Sequence, residues 1–107
     1  MRPAIFGYLR VVSNDERDDE AERAKHELAE YAAREGFTLD QVFTEYIRRS
    51  ESAFEAMLDA LKRHDVKDII VPSLWHFARL PGLQGAMRQH IEQETGARIW
   101  VVQGQRR

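Results

Sequence analysis

Residues 4–12 read Ala4-Ile5-Phe6-Gly7-Tyr8-Leu9-Arg10-Val11-Val12, a run of aromatic and β-branched side chains closed by Ser13-Asn14-Asp15. Such side chains suit a pleated, buried surface, and short polar residues after them suit a helix cap, so the stretch predicts a strand running into a helix. Downstream the same form repeats. From Glu16 to about Arg34, Ala21, Ala24, Leu28 and Ala32 recur at helical spacing among charged residues, and Gly36 supplies a stop. Residues 37–47 predict a second strand, with the alternation broken near Asp40-Gln41. Ser50 can cap a following helix in which Phe54, Met57, Leu58 and Leu61 form one apolar stripe ending near His64.

Asp68-Ile69-Ile70-Val71-Pro72 is a short apolar run of the kind buried on both faces of a parallel sheet, and it predicts the sheet's centre. Pro81, Leu83, Met87, Ile91 and Gly96 mark a third helix, residues 98–102 return to a strand, and residues 103–107 read as a frayed tail. Strands alternating with helices require right-handed crossovers. The expected class is therefore α/β: a three-layer sandwich, mainly parallel, with helices on both faces, in one domain over residues 1–102.

Composition narrows the functions. The chain is 43% apolar and 32% charged, which supports a packed core and argues against disorder. It has no cysteine, and His26, His64, His76 and His90 lack metal-ligand spacing, so no metal and no cofactor is expected. No apolar run is long enough to span a membrane and no secretory leader is evident, so the expected setting is cytoplasmic. A formal net charge of −2 argues against tight nucleic-acid binding, whose affinity comes mainly from phosphate neutralisation.

Functional groups of open parallel sheets gather at the carboxyl ends of the strands. Two such places carry a resemblance. Gly7-Tyr8-Leu9-Arg10-Val11 resembles the opening of serine recombinases of the resolvase and invertase type, where Tyr-x-Arg-Val precedes the nucleophilic serine; here the next residue is Val12. Leu74-Trp75-His76-Phe77-Ala78-Arg79 resembles that family's Leu-Asp-Arg-Leu-x-Arg segment, with Trp75 in place of the aspartate and His76 in place of the first arginine. A third family segment has Ser-Gly and then Arg-Pro at the start of the second helix; ungapped from Glu45, this chain offers Arg48-Arg49 and Phe54-Glu55. Small resolvases continue into a dimerising helix and a helix-turn-helix module, and this sequence stops before either.

The resemblance implies the family fold, together with an eroded site. Phosphoryl transfer needs a nucleophilic hydroxyl and guanidinium groups on the non-bridging oxygens. Valine has no lone pair to attack with, and histidine cannot supply arginine's bidentate, permanent charge. Arg10 and Arg79 remain as a phosphate-binding remnant, or as partners in ordinary ion pairs with Asp15, Glu16 or Glu45. Ser13 is the substitute nucleophile if the strand bulges before it; otherwise it starts a turn or caps the first helix. His76 reads as a partly exposed loop residue, and Trp75 as a core plug or an interface anchor. Trp75 and Phe77, with Arg79, form the preferred contact surface on an exposed crest.

Two functions survive: a catalytically inactive binding or regulatory protein, acting through self-association or another protein with weak, non-specific DNA contact at most, or a recombinase that still handles DNA phosphodiesters. A phosphoacceptor receiver would need an aspartate at the end of the third strand, where Val71-Pro72-Ser73 stands. A dinucleotide-binding unit would need a glycine-rich turn after the first.

Overall fold

The computed structural model describes residues 2–11, 19–46, 52–78 and 80–103. Its elements are β1 (Ala4–Val11), α1 (Asp19–Arg34), β2 (Thr38–Tyr46), α2 (Ala53–His64), β3 (Asp68–Val71), a 3-10 turn (Leu74–His76), α3 (Pro81–Thr95) and β4 (Arg98–Val101). All pairings are parallel and the strand order is β2-β1-β3-β4. The expected α/β sandwich is the observed one, with β1 and β3 interior.

Alternation along β1 builds two cores. Phe6 and Tyr8 point to one face and pack with Met57, Leu58 and Leu61 of α2 and Ile91 of α3. Ile5 and Leu9 point to the other, with Leu28 and Ala32 of α1. Gly7 also faces α1, and a Cβ there would stand 3.0 Å from the Leu28 side chain, so α1 sits against bare backbone. β3 is buried at all four of its positions, as its uninterrupted apolar run requires.

Two differences from the sequence reading have local causes. Ile5 pairs with Leu39 and Phe6 with Gln41, which leaves Asp40 as the extra residue of a bulge; this is the break in alternation near Asp40-Gln41. The cap of α2 is Ser52, not the expected Ser50, which lies outside the described residues. Ser52 stands three positions before Glu55, the capping-box spacing, and its Oγ accepts the Glu55 N–H at 3.1 Å. Among the described residues no helix is long and apolar enough to cross a membrane.

Candidate functional site

The carboxyl ends of β1 and β2, the start of α2 and the segment after β3 surround a cleft of about 380 Å³. Tyr8, Arg10, Glu45, Tyr46, Ser52 and Phe54 line it. Strand alternation places Tyr8 and Arg10 on this side. The Tyr8 ring is stacked with Phe77 at 5.7 Å between centroids and meets Phe54 edge-on at 5.8 Å. Its hydroxyl donates to Glu45 Oε1 at 3.4 Å. Burial first, and then the Glu45 carboxylate, raise the Tyr8 pKa; the nearby Arg10 charge opposes them, and the phenol stays protonated.

Glu45 holds the cleft together from β2. The same Oε1 accepts the Phe54 N–H at 3.2 Å, so the carboxylate and Ser52 satisfy two otherwise unpaired amides in the first turn of α2. A helix N-terminus favours anions. Here the anion is an acid side chain of the protein itself, Glu45, which lines the cleft.

His76 meets β1 on the edge that faces β3. β1 pairs with β3 only at Phe6 with Ile69 and Gly7 with Ile70, and β3 ends at Val71, so farther along β1 has outrun its neighbour on that edge. The His76 side chain takes over: the Arg10 backbone N–H donates to its Nδ1 at 3.0 Å. With Nδ1 accepting, the proton of the neutral ring sits on Nε2. Burial and, secondarily, the Arg10 charge push the His76 pKa down to about 4. The imidazole is thus uncharged near neutrality. The Trp75 ring lies over it at 4.0 Å between centroids and 27° between planes.

These contacts correct two expectations. His76 is 8% exposed, not a partly exposed loop residue, because it substitutes for a missing strand partner. Phe77 is 2% exposed and packs on Tyr8 and Phe54, so it belongs to the core and not to an exposed crest. Trp75, at 39%, is the exposed aromatic of that segment, joined by Leu80 and Leu83. Val12, Ser13, Arg48, Arg49 and Arg79 lie outside the described residues. The residues that the sequence reading missed are Glu45, as a keystone between β2 and α2, and Ser52. The Ser52-x-x-Glu55 spacing was a signal for the latter.

The sequence matches the family model described as resolvase, N-terminal domain, over residues 5–107. The chain belongs to that family. Solved structures with the same fold include a resolvase family site-specific recombinase from Streptococcus pneumoniae, at 19% identity and a TM-score of 0.77 over 96% of this chain and 74% of that one. The N-terminal catalytic domain of TP901-1 integrase gives 13% identity and a TM-score of 0.76 over 94% and 79% of the two chains. The C-terminal catalytic domain of the IS607-like serine recombinase ISC1926 TnpA gives 18% and 0.75 over 92% and 68%. No curated protein matches the sequence. In this resolvase-type domain, then, His76 and Glu45 occupy the strand ends at which the fold gathers chemistry.

Proposed function

We propose that this resolvase-type domain is catalytically silent and acts as a binding or regulatory protein. The observation that carries the reading is His76. It stands where the resemblance calls for a phosphate-clamping arginine, and it is a neutral acceptor committed to the Arg10 N–H. A ring in that state donates no charge to a transition state, and its Nδ1 is already used. Glu45 adds a carboxylate to the cleft that Arg10 lines. Tyr8 and Arg10 define the cleft side of β1 as that of the even-numbered residues. Losing one transition-state donor typically costs about 3–4 kcal/mol, and losing a nucleophile as well abolishes turnover.

The test is incubation with nicked and intact duplexes followed by denaturing electrophoresis. No covalent protein-DNA adduct should form. An adduct abolished by Ser13→Ala would establish the alternative, a recombinase that uses Ser13 as nucleophile with Arg10 and Arg79 on the phosphate. On the proposed reading the partner is protein, and DNA contact is weak, non-specific and steeply salt-dependent.

A further inference from the structure

Resting on the reading of this domain as a binding protein, we propose that Trp75, Leu80 and Leu83 form the docking surface for a different protein, which presents an amphipathic helix with acidic flanks.

Among the described residues the exposed large apolar side chains are Trp75, Leu80 at 62% and Leu83 at 53%, and all three fall between the end of β3 and the first turn of α3. The fold makes little use of them. α2 buries Met57, Leu58, Ala60 and Leu61, whereas α3 buries only Ile91, so the apolar side chains at the start of α3 are surface left over after the core is filled. The 3-10 turn that carries Trp75 packs against α3. The His76 ring backs the Trp75 ring at 4.0 Å between centroids, which fixes the indole before any partner arrives and lowers the entropy cost of docking on it. Leu80 and Leu83 are three positions apart, the spacing at which one helix offers a ridge to another. Gly82 and Gly85 beside them are exposed, and a Cβ at either would meet nothing within 4 Å. Each costs the helix about 1 kcal/mol relative to alanine without serving a contact inside the domain, and a second helix can approach closely there.

Charge selects the occupant. From Ile69 to Ile91 the sequence contains no acidic residue, and with Arg79 and Arg88 the stretch carries +2; the rest of the chain has 14 basic and 18 acidic residues, or −4. The first acid beyond it is Glu92, which pairs with Arg88 at 3.7 Å. Apolar anchors beside basic side chains favour a partner with apolar residues on one stripe and carboxylates next to it. A second copy fits poorly. A two-fold contact would set this basic segment against itself, and a head-to-tail contact on an acidic face elsewhere is not closed by a two-fold. Duplex DNA supplies anions but no apolar surface of the shape that would cover Leu80 and Leu83.

The experiment is a selection on the immobilised full chain from a displayed library of helical peptides, with apolar residues fixed at i, i+3, i+4 and i+7 and the flanking positions free. The recovered peptides are then titrated against the protein in solution. Asp and Glu should be enriched at the flanks, and Trp75 emission should move to shorter wavelength on binding. Leu80→Gln and Leu83→Gln should each weaken the recovered peptides about tenfold, as should replacing the peptides' acids by lysine. Both leucines are exposed, so the variants keep the fold, which circular dichroism confirms. Recovery of no peptide, of basic peptides, or of acidic peptides indifferent to both variants overturns the proposal. So does a concentration-dependent dimer that Leu83→Gln dissociates, which gives the surface to a second copy, or capture of phosphatidylserine vesicles or duplex DNA that the same variants abolish. No DNA cleavage enters this readout. Its failure leaves the inference of catalytic silence standing, and a Ser13-dependent adduct would overturn that inference without changing the peptide titration.

Discussion

His76 shows how one substitution changes the kind of work a position does. Arginine could not accept a hydrogen bond from the Arg10 N–H, whereas a neutral imidazole can, and the acceptor closes a strand edge that β3 is too short to cover. The folded pKa of about 4 lies below the ordinary 6.5, so the unfolded chain binds the proton more readily. The stabilisation is complete above about pH 6.5 and is lost as pH falls through about 4; it amounts to at most about 3 kcal/mol. Urea denaturation between pH 4 and 7 should show this slope in the wild type, with a smaller one in His76→Phe. Equal slopes would remove His76 from the account. At the neighbouring positions, Phe77→Ala should cost about 3–5 kcal/mol as a core cavity, and Trp75→Ala distinctly less, by the same denaturation assay. None of this was legible from composition. His76 and Arg10 are 66 residues apart in sequence, and only the strand order brings them together. The motif comparison located His76 at a functional position but gave no hint of its burial.

Elements were far more readable than contacts, because periodicity is local. The four strands and three helices follow from spacing alone, and the Asp40 bulge appeared in the sequence as a break in alternation whose meaning needed the register against β1. The cap of α2 was misplaced because Ser50 and Ser52 are both plausible, and only Ser52 has Glu55 at the box spacing. Ser52→Ala should lower stability by about 1 kcal/mol, measured by thermal or urea unfolding. Gly7 gives a sharper test of how α1 is seated. Because an added Cβ meets Leu28 at 3.0 Å and Val42 at 3.3 Å, Gly7→Val should destabilise by about 1–3 kcal/mol through overpacking. A neutral result in calorimetry would mean that α1 shifts freely on the sheet, contrary to the packing described.

On the scale of the whole molecule, two half-cores share the sheet, and β1 contributes to both. The net charge of −2 gives the domain little general attraction for DNA. A gel-shift titration at two salt concentrations should therefore show weak, sequence-indifferent retardation that vanishes at the higher one; nanomolar binding to a single sequence in physiological salt would move the recombinase reading to the front. The His76 acceptor also divides the timescales on which β1 opens. Backbone amides inside the sheet exchange with solvent only when neighbouring strands part, an event that approaches global unfolding. The Arg10 amide is held by a side chain from a short turn instead, so turning that one ring away exposes it while the rest of β1 stays paired. Its deuterium uptake becomes a local clock for the cleft, readable without any ligand and quickened by acid relative to its strand neighbours.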